Sequence, residues 1–175
     1  NQKYLLYIGH RTSYKNFNFA VEAASKFKEN LKLVVVGEPF TDEEKVYVES
    51  LLDYNYLQLN KLNNEKLNYL YNKTYALLYP SSYEGFGIPI IEAMKTKCPV
   101  IAFKNSSIPE VAGECGLLYD EESANSLVDG ILKLRNVELR EKLVMEGVKQ
   151  AEKFNWDKTA EKYLQFYKEL YDSEN

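Results

Sequence analysis

Cysteine is scarce in this chain. Its 175 residues hold two, Cys98 and Cys115, without metal-ligand spacing, and no Asp-x-Asp occurs anywhere. That excludes a disulfide-built miniprotein; two reduced thiols are the expectation. Long apolar runs are missing too, since Leu31 to Val36 and Ala76 to Tyr79 are far too short to cross a bilayer. No basic segment with a following apolar stretch opens the sequence, so no export signal is expected and the cytoplasm is the expected compartment. Basic residues are not in excess: 22 Lys and Arg stand against 26 Asp and Glu, for a formal charge of −4. A nucleic-acid binder normally carries a basic face, so nucleic acid is not an expected partner, and any anionic ligand must be held by a local site. Internal repeats, linkers and low-complexity segments are absent as well.

What is present is ordinary for a globular domain, 45% hydrophobic and 27% charged residues over a length that suits one domain. The chain opens Asn1-Gln2-Lys3 without Met, directly before a strand, and reads as an excised domain. Short apolar runs alternate with helical patterns. Tyr4–Ile8 is a strand ended by Gly9; from about Lys15, Phe17, Ala20, Val21, Ala24 and Phe27 recur at helical spacing. Leu31–Val36 is a second strand, and Thr41 caps a helix whose first turn, Asp42, Glu43 and Glu44, suits the dipole. Tyr56–Leu59 with a helix from Asn64, and Ala76–Tyr79 with a helix from Pro89, repeat the pattern; Val100–Phe103 and Gly116–Tyr119 complete six strands. Such alternation predicts an α/β domain, a doubly wound, six-stranded parallel sheet of Rossmann-like type. Helices from about Ser123, Val137 and Trp156 form a helical C-terminal tail. In the last one Trp156, Ala160, Tyr163, Tyr167 and Leu170 make one stripe, which predicts packing against something large.

Ligands of such sheets bind at the carboxyl ends of the strands. The loop after the first strand, Gly9 to Asn16, sets Arg11 and Lys15 near a helix N-terminus, where the dipole disfavours cations by up to about 1 kcal/mol. An anion held between them and the free amides reverses that sign; the alternative is two ordinary solvated cations. The loop is neither G-x-G-x-x-G nor a Walker loop. After the fourth strand comes Pro80 to Met94. There Gly85 and Gly87 let the backbone approach a ligand, Pro89 suits the first helical turn, and the amides of Phe86, Gly87 and Ile88 are free. Glu84 stands just before this helix and Glu92 one turn inside it. Either both carboxylates accept hydrogen bonds from a polyhydroxylated ligand, or Glu84 merely complements the dipole and Glu92 faces solvent.

Glu84-Gly85-Phe86-Gly87-Ile88-Pro89-Ile90-Ile91-Glu92 resembles the two-glutamate motif of retaining GT-B glycosyltransferases. Tyr79 to Glu84, Pro99 to Ala102, Pro109 to Gly113 and Gly116 to Asp120 are similar to glycosyltransferase family 4, as is the glycine-to-lysine loop from Gly9 to Lys15. Where many members carry Arg directly after that glycine, this chain has His10, with Arg11 one later. The likeness covers essentially the whole chain, in the family's order.

That resemblance implies the C-terminal, donor-binding half of a GT-B enzyme, residues 1–175, with the N-terminal acceptor domain absent. It implies a hexosyltransferase, mannosyltransferase-like, that takes a nucleotide-diphosphate sugar, GDP-mannose ahead of a UDP-hexose, without a metal or cofactor. The acceptor would be a glycan or lipid-linked glycan of polysaccharide or glycolipid assembly. Contact with the inner face of the membrane would come through the full-length protein. By the same likeness Lys15 and Arg11 would bind the diphosphate, Gly9 in their loop would contact the donor, and Leu62 in Asn60–Asn64 would approach the base. Phe86, Gly87 and Ile88 would offer amides, Glu84 would hold the sugar and Glu92 the ribose. A glucan- or sucrose-synthase-type transferase and a catalytically silent nucleotide-binding module are the alternatives.

Overall fold

The computed structural model describes residues 3–173; Asn1 and Gln2, read above as the start of an excised piece, lie outside the described residues. Six strands form one sheet: β1 (Lys3–Ile8), β2 (Leu31–Val36), β3 (Tyr56–Leu59), β4 (Ala76–Tyr79), β5 (Val100–Phe103) and β6 (Leu117–Tyr119). Their order is β3-β2-β1-β4-β5-β6 and every pairing is parallel. The expected doubly wound, Rossmann-like sheet is therefore the observed one. Helices α1 (Phe17–Ser25), α2 (Asp42–Leu52), α3 (Asn64–Lys73), α4 (Ile88–Lys95) and α5 (Ile108–Ala112) connect successive strands. The helices α6 (Ala124–Lys133), α7 (Val137–Ala151) and α8 (Trp156–Ser173) form the tail.

Alternation along the strands divides the core in two. Leu5 and Tyr7 of β1 pack with Leu33, Val35 and Leu78 beneath α1, α2 and α6, while Leu6, Val34, Leu77 and Tyr79 pack beneath α3, α4, α5 and α7. Both faces are covered, which is why the strands read as unbroken apolar runs and not as alternating ones. Capping follows the local sequence. Thr41 Oγ1 accepts from the Glu44 amide (3.2 Å) and Glu44 Oε2 accepts from the Thr41 amide (2.9 Å), a complete capping box at α2. Asn63, Ser123 and Asn136 cap α3, α6 and α7 in the same way with their side-chain oxygens.

Two features differ from the sequence reading. Between β5 and β6 the chain forms the five-residue α5 and a 3-10 turn, where the sequence showed a motif but no helical period. The final helix buries none of its residues: Trp156 is 76% and Tyr167 63% exposed. Apart from the cavity that Trp156 lines with Phe86 and Phe154, its apolar stripe packs on nothing among the described residues.

Helix α6 lies close to β5. A Cβ on Gly130 would come within 2.7 Å of Ile101 Cγ2, a β-branched atom of a fully buried side chain. Alanine there gains about 0.5–1 kcal/mol of helix propensity but overpacks the core at about 1–3 kcal/mol. Gly130→Ala should therefore lower the urea midpoint at unchanged slope; a raised midpoint would mean that Ile101 has room to yield.

Candidate functional site

The order β1-β4 at the middle of the sheet is the point where successive connections turn to opposite faces. The loops that leave these two strands meet there. Residues 9–16 lead from β1 through a 3-10 turn (Ser13–Lys15) into α1, and residues 80–87 lead from β4 into α4. The Ser82 amide donates to Tyr14 O (2.8 Å), which joins the two loops directly.

Lys15 and Glu84, 69 residues apart in sequence, are in contact: Lys15 Nζ donates to Glu84 Oε1. Both side chains are largely covered, at 15% and 11% exposure. Tyr79 and the buried Ser81 also hydrogen-bond the carboxylate. Burial pushes the Glu84 carboxyl up, but the bonds from Lys15, Ser81 and Tyr79 outweigh it and hold the group below the ordinary glutamate range. The Tyr79 phenol is driven the other way by burial and by Glu84, so it stays a donor. Around this pair the backbone is tied down. Ser106 Oγ donates to Glu84 O (2.7 Å), and Ser107 Oγ lies within bonding distance of both Glu84 O (2.9 Å) and Phe86 O (3.0 Å).

Asn16 takes a left-handed conformation (φ +48°) and its Nδ2 faces Pro80 O, Ser82 Oγ and Glu122 Oε2 at 2.9, 2.7 and 3.1 Å. Glu122, just after β6, also accepts from Ser82 Oγ and from Asn105 Nδ2 (2.9 Å). One carboxylate thus fastens the loops after β1, β4 and β5. Sequence reasoning passed over it, because its partners lie 17 to 106 positions away.

Gly87 caps α4 at φ +99°, a conformation that strains any residue with a Cβ. Among the described residues no hydrogen bond is made by the amides of Phe86, Gly87 or Ile88, which stand at the positive end of α4. The side chains of Phe86 and Ile88 line a cavity of about 370 Å³ together with Glu92, Phe154 and Trp156. Glu92 is half-buried there and Tyr71 Oη, on α3, donates to its Oε2 (2.9 Å). Burial and then the Glu92 charge drive the Tyr71 phenol far up, so it remains a donor that orients the carboxylate. Tyr71 is the single buried residue of α3, and that burial, invisible in the sequence, is its only distinguishing sign.

Three of the expected residues sit otherwise than expected. Arg11 does not join Lys15. Its Nε and Nη2 grip Glu44 Oε1 and Oε2 (2.9 and 3.0 Å), Nη2 also donates to Pro39 O (2.8 Å), and the guanidinium lies 5.0 Å from the Phe40 ring centroid. The side chain is 6% exposed, and its remaining nitrogen, Nη1, is buried beside Gly37 without a partner. A carboxylate fills one side of the guanidinium fork and the remaining nitrogen is buried, so Arg11 faces no diphosphate here; it fastens the β2–α2 loop. Gly9 likewise has no free amide, since its N–H donates to Val36 O (3.0 Å). It supplies conformation (φ +135°), while close approach is demanded of Gly37, where a Cβ would meet Gly9 O at 2.6 Å. Leu62 sits half-buried in the loop after β3, with β2 and β1 between that strand and β4, and the structure does not bring it to Lys15 or Glu84.

Among the described residues no group of three or more His, Cys, Asp or Glu side chains is arranged to hold a metal, and no helix is long and apolar enough to cross a membrane. Burial pushes the Cys98 thiol up to about 12.

The family described as "Glycosyl transferases group 1" matches residues 1–153. The O-antigen chain mannosyltransferase B of Escherichia coli is 31% identical over 97% of this chain and 46% of its own length. Among solved structures, the sucrose-phosphate synthase of Thermosynechococcus elongatus superposes with a TM-score of 0.85 at 26% identity, over 99% of this chain and 46% of its own. The C-terminal domain of a group 1 glycosyl transferase from Francisella tularensis superposes with a TM-score of 0.73 at 26% identity, over 86% of this chain and 85% of that domain. The chain thus spans about half the length of the curated relatives it matches.

The depressed carboxyl groups set the direction of acid sensitivity. Glu44, raised by burial but lowered further by Arg11 and the Thr41 amide, behaves as Glu84 does. Each contributes stability that is complete above the ordinary glutamate range and is lost as pH falls through its lowered value. Urea titrations stepped from neutral to acid pH should show a shallower decline for Glu84→Gln than for the wild type. Equal declines would mean that Lys15, Ser81 and Tyr79 do not hold the charged form.

Proposed function

This chain belongs to the group 1 glycosyl transferases, and from that premise we propose that it is the donor-binding half of a retaining GT-B enzyme of the family 4 type. The observation that carries the reading is the contact of Lys15 with Glu84 across the loops of β1 and β4, beside three unengaged main-chain amides. An ammonium has three donors, and Glu84 uses one. The other two, with the amides of Gly87 and Ile88 and the dipole of α4, would bind the diphosphate of a nucleotide-sugar and stabilise the charge that develops when the bond to the anomeric carbon breaks. Arg11, occupied by Glu44, takes no part. Glu84, kept ionised by its neighbours, would accept from the sugar hydroxyls. Glu92, aimed by Tyr71 into the cavity between Phe86 and Trp156, would accept from the ribose. Metal-independent transfer, with Lys15 and the α4 amides as the donors to the diphosphate, is part of the proposal.

The full protein would carry a second domain that brings a glycan or lipid-linked acceptor, and this chain by itself would bind nucleotide and transfer nothing. The likeness to the E. coli mannosyltransferase favours GDP-mannose as donor; a UDP-hexose ranks next. A second reading, a sucrose-phosphate-synthase-type transferase, is favoured by the superposition over 99% of the chain. Acceptor screening on the full-length protein separates the two.

Calorimetric titration tests the site. Lys15→Ala should weaken GDP and UDP together by about tenfold, the worth of a charge-assisted bond to phosphate, while leaving guanosine and uridine unaffected. Glu92→Ala should weaken the nucleosides as well. Affinities unmoved by either change would remove the site assignment, and UDP binding more tightly than GDP would remove mannose. Sugar transfer by these residues alone would refute the need for a partner domain.

A further inference from the structure

The opposite end of the sheet holds a second, unrelated basin. It lies at the amino ends of β1, β2 and β4 and has a volume of about 690 Å³, the size of a small-molecule site. Four cations line it, Lys3, Lys73, Arg135 and Arg140, and no Asp or Glu does. Among the described residues none of the four takes part in a salt bridge. Three of them lie on aromatic rings instead. Lys3 Nζ lies 5.8 Å and Arg140 Cζ 4.6 Å from the centroid of Tyr75, and Arg135 Cζ lies 5.9 Å from that of Phe27.

Local structure accounts for part of this. Lys73 ends α3 and Arg135 follows α6, and both positions favour a cation. Arg140 has no such reason. It lies in the opening turns of α7, at the end where the dipole repels a cation and attracts an anion. Its Nη1 is buried and has no hydrogen-bond partner. A buried guanidinium nitrogen left unpaired is costly, and so is the clustering of four like charges in a chain of net charge −4. A bound anion removes the second of these costs.

We propose that this basin is a phosphate-binding site, distinct from the Lys15–Glu84 site, for a phosphate group carried on an organic body. The guanidinium of Arg140 matches phosphate oxygens bidentately. The Lys3, Lys73 and Arg135 charges neutralise the dianion. The apolar wall of Phe27, Leu134 and Val137 receives the attached carbon skeleton. A soluble phosphate ester and the headgroup of an anionic phospholipid share this chemistry. The site does not depend on the glycosyl-transfer reading.

Two probes separate the sources. Phenyl phosphate, followed by amide resonances in NMR, should shift Thr74, Tyr75 and Arg140, and vesicles of phosphatidylglycerol mixed with phosphatidylcholine should co-sediment the chain if a headgroup is the ligand. Either response supports the site, the first alone assigning a soluble ester and the second a lipid. Arg140→Met should weaken the responding probe about tenfold, and Lys15→Ala should leave it unchanged. Because Arg140→Met also deletes an unpaired buried donor, its thermal midpoint should hold or rise. A lowered midpoint with unaltered binding would reduce Arg140 to a packing residue and overturn the proposal. Silence from both probes, or vesicle binding that survives Arg140→Met, would overturn it equally.

Discussion

The parallel pairing of β1 with β4, Leu5 against Ala76 and Leu6 against Leu77, is the constraint on which the rest of the molecule depends. It places side by side two strands separated by two intervening strands in sequence. Their carboxyl ends must then release two loops into the same space, and the helices that follow must depart to opposite faces. A lysine from one loop and a glutamate from the other meet as a consequence. Neither loop holds that geometry alone: Asn16 reaches across to Pro80 and Ser82, and Glu122 ties both loops to Asn105.

Charge in this protein is organised by place. At the carboxyl edge the cation Lys15 is balanced by a carboxylate that is itself kept ionised by a tyrosine and a serine. The neighbouring Arg11 is consumed by Glu44, so two cations four residues apart in sequence do different work. At the amino edge four cations gather without a carboxylate among them. The formal charge of −4 describes neither edge, because side chains within a few ångströms outweigh the average field of the chain.

Glu84 and Glu92 occupy different surroundings in spite of one motif. The first sits in a network of charged and hydroxyl donors; the second faces a mostly apolar cavity with one buried phenol behind it. Seven residues of chain carry the backbone from one environment to the other. Gly87, at φ +99°, is the turn that makes this path sterically cheap and leaves the α4 amides pointing outward.

The strands were legible in the sequence almost to the residue, and so was the cap at Thr41. These depend on local rules: apolar runs buried on both faces, and side-chain oxygens that accept from the next turn. The Glu84–Glu92 segment and the loop of Lys15 were marked by their resemblance to a family, since local chemistry left solvated side chains equally open. What the sequence could not show was partnership at long range. That Glu44 would claim Arg11, that Tyr71 would aim Glu92, that Glu122 would tie three loops and that Arg140 would meet Lys3 over one ring all depend on strand order. The apolar stripe of α8 was readable as a pattern, but whether it is covered within the chain was not. Periodicity reports which side chains share a face; only tertiary structure decides what that face, or a charge, finally touches.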